Sequence, residues 1–274
     1  MLNRPLFTVA LVWLTLTVLN SAARAEPPPS SKVVFVIVDG IPADTIERVP
    51  TPTIDAIAAE GGYGRATVGG PIGELAETPT ISAPGYMSLI TGTWANKHNV
   101  YKNYGISPDY SYWNLFRLAR SERPELRLGI FSTWTDNRTI LLGEGLAEGG
   151  NWRFDVVVDG LEKREARLPP EPMDVRIADI DDAVSREAAR LIESEGPDLS
   201  WVYLQHTDDV AHKHGDSVEF EQAVIQMDER LHAIWSGVRA RQRVHEEDWL
   251  MIVTTDHGRD AVTGRTHGGQ SERE

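Results

Sequence analysis

The 274-residue chain carries 27 Lys and Arg against 41 Asp and Glu, a formal net charge of −14 at pH 7, and has no cysteine. Such acidity excludes nucleic-acid wrapping and a polybasic membrane patch, because both require positive potential. It leaves open a small anionic substrate, since bound metal ions reverse the local field, and without disulfides stability must come from the core.

Arg4, an apolar run from Leu6 to Leu19 and Ala23-Arg24-Ala25 before Glu26 have the layout of a secretory signal peptide over residues 1–25. The run is shorter than the ~20 residues a bilayer span needs. The expected product is therefore secreted or periplasmic, with no stable membrane span after signal removal. Residues 26–32 are Pro- and Ser-rich and read as a linker, leaving 33–274 as one catalytic domain.

Val33 to Val38 is a continuous apolar, β-branched run ending at Asp39-Gly40, as expected of a strand inside a parallel sheet. Thr53 to Glu60 reads as a helix closed by Gly61-Gly62, and Ala66 to Pro79 as loop. Pro84 to Thr91 reads as a helix started by Ser82 and Pro84 and stopped at Gly92. Tyr112 to Arg120 is helical, Leu126 to Thr133 and Phe154 to Val158 are strands, and Ala178 to Glu195 is a helix. Leu199 to Gln205 is a strand. Phe220 to Val238 is a helix with Val224, Met227, Leu231 and Ile234 on one face, and Trp249 to Thr254 is a strand ending at Asp256. Strands alternate with helices, so the class is α/β with a mainly parallel central sheet and helices on both faces.

Ligands of such sheets collect beyond the carboxyl ends of the strands. Three strand ends carry candidate metal ligands there. Asp39 ends the first strand, Asp208 and His212 follow Leu199–Gln205, and Asp256 and His257 end Trp249–Thr254, with His267 further on. Taken singly, an Asp at a strand end is often a turn or cap residue, and a lone His is usually surface or core. Three such ends together are another matter, because carboxylates gathered at one edge repel without cations between them. Oxygen and nitrogen donors suit zinc, with manganese or iron as alternatives. Ser82, just before a helix, is a candidate nucleophile or a plain N-cap. A helix N-terminus favours an anionic substrate, and metal coordination activates a weak hydroxyl nucleophile. The bulky Tyr86, Tyr104, Trp113 and Trp134 read as core rather than pocket lining.

These residues resemble the alkaline phosphatase superfamily, especially its type I phosphodiesterase/nucleotide pyrophosphatase branch, from Val33 to Glu274. Asp39-Gly40 is similar to that family's first metal-binding strand end. Thr51 to Gly61 is similar to its early helix, and Ser82-Ala83-Pro84 with Ser88 to Gly92 to its nucleophile helix. Asp208 to Gly215 resembles Asp-x-x-x-His-x-x-Gly, which points to Asp208 rather than Asp209. Asp256-His257-Gly258 and Thr266-His267-Gly268 resemble the last two ligand segments. The resemblance implies two divalent ions, zinc or manganese. One is held by Asp208, His212 and His267, the other by Asp39, Asp256, His257 and the Ser82 oxygen. Asn103 helps hold the phosphoryl oxygens. It implies hydrolysis of small-molecule phosphate esters through a Ser82 phospho-enzyme.

Two departures stand out. Only Arg259 to Thr266 separate Gly258 from His267, closer to the phosphomutase branches than to the nucleotide pyrophosphatases, and this implies a compact enzyme without a large insertion. The sequence also stops at Glu274, where family members continue with a strand and a helix, so the expectation is either a C-terminally truncated chain or a sheet one strand short. A sulfatase is the main alternative, but its maturation pattern wants Arg where Tyr86 stands. A catalytically inactive binding protein on the same fold is the other.

Overall fold

A computed structural model of the chain describes residues 30–165 and 173–274. The expected signal peptide and residues 26–29 of the expected linker lie outside the described residues. The remaining linker residues, 30–32, belong to the first strand.

The elements run β1 (Ser30–Val38), α1 (Ala43–Arg48), α2 (Pro52–Glu60), α3 (Ser82–Thr91), α4 (Ala95–His98), α5 (Leu115–Glu122) and β2 (Leu128–Ser132). A π-helical turn at Asn137–Leu141 precedes β3 (Val156–Val158) and α6 (Leu161–Glu165). Then come α7 (Met173–Glu195), β4 (Leu199–Leu204), α8 (His206–His214), α9 (Val218–Val244) and β5 (Glu247–Thr254). All strand pairs are parallel, in the order β3-β2-β4-β1-β5.

Alternation along β1 divides the core. Val34, Val36 and Val38 face one layer, where α7 and α9 pack with Val224, Met227, Leu231 and Ile234 all buried. Ile37 and its neighbour Phe35 face the other, where α3 supplies Tyr86, Met87 and Ile90 and α5 supplies Phe116. Both faces of β1 are thus covered, which is why its sequence is apolar without a polar alternate. The edge strand β5 differs. Trp249 and Met251 are buried against α9's layer, while Leu250 and Ile252 are 56% and 39% exposed.

The topology places the site. Because β1 lies between β4 and β5, the residues leaving all three strands emerge side by side at one sheet edge. Sequence periodicity locates the long helices but misses α1, α4, α6 and α8. The last of these matters most, because it turns Asp208 and His212 into an i, i+4 pair on one helical face. Tyr86 and the half-buried Trp134 join the core as expected, but Tyr104 and Trp113 are exposed. Both instead pack against cations, Lys102 at 5.2 Å and Arg117 at 4.4 Å from the ring centroids. Among the described residues, no helix is long and apolar enough to cross a membrane.

Candidate active site

Asp39 follows β1 directly and is buried. Its Oδ2 accepts from two buried phenols, Tyr86 on α3 and Tyr203 on β4, the latter at 2.6 Å. Burial, with the Asp39 charge beside them, pushes both phenols well above their ordinary range, so they act as donors. Asp39 Oδ1 has no hydrogen-bond partner. It lies 3.2 Å from His257 Nε2. Asp256 repeats the pattern: Oδ1 accepts from Gly40 N at 3.1 Å, and Oδ2 is buried and unpartnered, 3.4 Å from the same nitrogen. Burial, then repulsion from Asp39, raises the Asp256 carboxyl well above its usual range. Burial opposes charge on His257, but Asp256, and next Asp39 and Asp208, hold its imidazole up at about 9.

The second group stands on α8 and the loop after β5. Asp208 Oδ2 is 3.3 Å from His212 Nε2, and Oδ1 is 3.7 Å from His267 Nε2. The two imidazole nitrogens are 3.1 Å apart. Burial works against the Asp208 charge, but His212 and Arg259 hold its carboxyl far below the usual range. The neighbouring Asp209 instead accepts from Gln205 at 2.9 Å. His257 stacks on His267 with centroids 3.9 Å apart and joins the two groups.

Both groups fit divalent ions. Asp39, Asp256 and His257 bring ligand atoms within 4.8 Å of one another, and so do Asp208, His257 and His267. A buried carboxylate oxygen without a partner costs free energy that a cation would recover. His257 Nδ1 donates to Gly258 O at 2.9 Å and His267 Nδ1 to Thr80 O at 3.0 Å. A carbonyl can only accept, so Nδ1 carries a proton in both rings and Nε2 is the nitrogen turned to the carboxylates and left for a metal ion, the orientation second-shell contacts give metal-binding imidazoles.

Ser82 is the first residue of α3, not its N-cap. Ile81 caps the helix, and no side chain caps it. The hydroxyl is therefore free of the structural duty it could have had, and Oγ lies 3.5 Å from His257 Nε2. Gly85 lets α3 approach: a Cβ there would stand 2.7 Å from Asp256 O. The helix offers fewer free N–H groups than its sequence suggests. Ala83 N–H goes to Asn103 Oδ1 at 2.8 Å, Pro84 has none, and Gly85 N bonds Ile81 O. With Oδ1 occupied, Asn103 has its two Nδ2 hydrogens to offer.

Several supporting residues were not singled out from sequence. Asp181 on α7 accepts from Gln205 N and His206 N and so caps α8 from outside. Burial raises its carboxyl to about 6. Thr207 Oγ1 donates to Asp39 O at 2.6 Å, tying α8 to the end of β1. Asp260 accepts from Val262, Thr263 and Thr266 N–H groups and makes the short return to His267 a closed turn. Arg259 is fully buried against Asp208 and Gly40. Its position next to Asp-His-Gly was a signal, but burial of an arginine is not readable from composition.

The sequence pattern of type I phosphodiesterase/nucleotide pyrophosphatase matches residues 33–270. The chain belongs to this family. Ectonucleotide pyrophosphatase/phosphodiesterase family member 7 from Rattus norvegicus is 26% identical over 94% of this chain and 56% of its own length. The human member 7 is also 26% identical, over 95% of this chain and 54% of its own. The chain thus spans little more than half the length of these curated relatives. Among solved structures, phosphonoacetate hydrolase from Sinorhizobium meliloti with phosphonoformate superposes with a TM-score of 0.57 at 20% identity, covering 85% of this chain and 57% of that one. A putative sulfatase from Bacteroides fragilis gives the same score at 12% identity, covering 89% and 65%. At these identities the structural likenesses establish the alkaline phosphatase-like fold.

Proposed function

We propose that this chain hydrolyses phosphate esters, phosphodiesters being the substrate class, with Ser82 as nucleophile at a two-metal site. One observation carries the reading. The unpartnered oxygens of Asp39 and Asp256 converge on the Nε2 of His257, which itself lies 3.5 Å from Ser82 Oγ. Family membership supports the same chemistry, and the name of the rat relative favours diesters.

Asp39, Asp256, His257 and Ser82 would hold one ion and Asp208, His212 and His267 the other. Two divalent ions, zinc or manganese, would supply charge neutralisation at the phosphoryl, attacking and leaving oxygens. The chain's own residues do the rest. Ser82 Oγ attacks phosphorus in line, the first alcohol leaves, and water then cleaves the Ser82 ester. The Asn103 Nδ2 group donates to a phosphoryl oxygen while its Oδ1 fixes the start of α3. His257 keeps its Nδ1 proton on Gly258 O, so its Nε2 is the nitrogen that would hold the ion beside the serine. Positioning and charge supply most of the acceleration.

The test is chelator-sensitive cleavage of bis-p-nitrophenyl phosphate with added zinc or manganese. Ser82→Ala should abolish it while metal binding survives, and full activity in that variant would sink the serine mechanism. A preference for p-nitrophenyl sulfate would favour the sulfatase reading. Two bound ions with no turnover on any ester would favour a binding protein.

A further inference from the structure

The two ligand groups differ in the charge they present. Among the described residues Asp39 and Asp256 are met only by neutral donors, the two phenols, Gly40 N–H and Thr255 Oγ1, apart from His257. Each keeps a bare buried oxygen. The other group has a single carboxylate, Asp208, and that carboxylate already has a cation. Arg259 Nη2 donates to Asp208 Oδ1 and, at 3.0 Å, to Asp208 O, while its Nε donates to Gly40 O at 3.1 Å. Its Nη1 is buried without an acceptor among the described residues. The guanidinium is therefore held by these contacts alone and is fully out of water. The oxygen it grips, Oδ1, is also the one nearest His267 Nε2, at 3.7 Å. Solvent access differs in the same direction: the His257 side chain is 0% exposed and the His212 side chain 47%.

We infer that the site takes its two ions in a fixed order, the Asp39–Asp256–His257 half first and the Asp208–His212–His267 half second, because Arg259 is a resident competitor for Asp208. The inference rests on the two-metal reading above. Coulomb attraction scales with ligand charge: once His257 gives up its Nε2 proton to ligate, the first half offers two carboxylates that no fixed cation touches, where the second offers one that Arg259 still neutralises. Arg259 thereby makes the outer ion the exchangeable one, so activity follows the free divalent concentration through the weaker half. A buried arginine would otherwise be a poor choice beside a metal ligand, since it subtracts a unit charge from the place that must attract a cation.

The experiment is zinc titration of chelator-stripped full-length protein against a competing fluorescent chelator. Wild type should bind two zinc in two steps at least about tenfold apart in affinity. Asp39→Asn should remove the tight step and His212→Ala the weak one. Arg259→Gln should tighten the weak step by about fivefold or more, the factor for one unit charge about 4 Å away even at the dielectric of water. Its tight step should not move. Arg259→Lys keeps the charge and should keep the weak step weak. Two steps of equal affinity, the reverse assignment by the two ligand variants, or a weaker second step in Arg259→Gln would overturn the inference. If Arg259→Gln does not fold, the wild-type isotherm and the ligand variants still decide. Fewer than two zinc at saturation defeats the two-metal reading and the order with it. Two ordered steps without ester cleavage defeat the hydrolase reading alone.

Discussion

The two halves of the candidate site are built from different materials. One is made by strand ends: Asp39 and Asp256 leave β1 and β5, adjacent parallel strands whose register runs up to Ile37 and Thr254, the residues before the turn. The other is made by a helix face and a loop, with Asp208 and His212 on α8 and His267 on the segment knotted by Asp260. The sheet fixes its half deep in the molecule and leaves carboxylate oxygens bare. The helix and loop leave His212 half exposed and their one carboxylate already charge-compensated. Geometry of the backbone thus sets how strongly each half demands a cation.

The largest effect should come where the halves are joined. Gly40 sits at φ +70°, and a Cβ there would lie 2.5 Å from Arg259 Nη2 and 2.8 Å from Asp208 Oδ1. Gly40→Ala should displace both and cost on the order of 100-fold in kcat/KM and roughly 1–3 kcal/mol of stability. Ester assays and thermal unfolding check this, and unchanged activity would mean that the halves are not coupled at Gly40. A smaller and one-sided effect is expected from Tyr203→Phe, which removes a donor from Asp39 Oδ2. Zinc affinity of the strand-end half should drop about 10- to 100-fold while the helix-loop half stays unchanged; an equal drop in both would refute the division.

The smallest effect concerns the support of α3. His98 is buried, its Nδ1 accepts from Val100 N, and its Nε2 donates to Ser88 Oγ, which donates to Pro84 O. Burial lowers its imidazole from 6.5 to about 4. The unfolded chain therefore binds a proton that the native one refuses between these two values, and stability falls as pH drops through that window. Urea unfolding should show wild type losing about 1–2 kcal/mol more than His98→Gln between pH 7 and 4.5. Parallel pH curves for the two proteins would show that His98 is not held neutral.

Much of this was legible in the sequence, for physical reasons. The run Val33 to Val38 read as a doubly covered strand, and it is an interior one, between β4 and β5. Asp39, Asp208, His212, Asp256, His257 and His267 were found because polar ligands after apolar strands are costly unless used. The structure brings all six together beside Ser82. The phenols on Asp39 were not legible, because a tyrosine at an apolar position looks the same whether its hydroxyl meets a carboxylate or water. Tyr104 and Trp113 show the converse, since aromatic content alone does not say which side of a loop is covered. Ser82 read equally well as a cap, and only the helix start at that residue removed the ambiguity.

The sheet register has a kinetic consequence. β1 is the first described element, yet Ser30 pairs with Glu247 and Val33 with Leu199. This interior strand has no partner until Leu199–Leu204 has been made, and lacks its second until Glu247–Thr254. Loop closures of this span make folding slow, and the waiting strand is the most apolar one. A nascent chain therefore carries a sticky, unpaired Val33–Val38 segment until β4 emerges, and a holdase that shields this stretch should raise the folded yield more than one that binds any later strand.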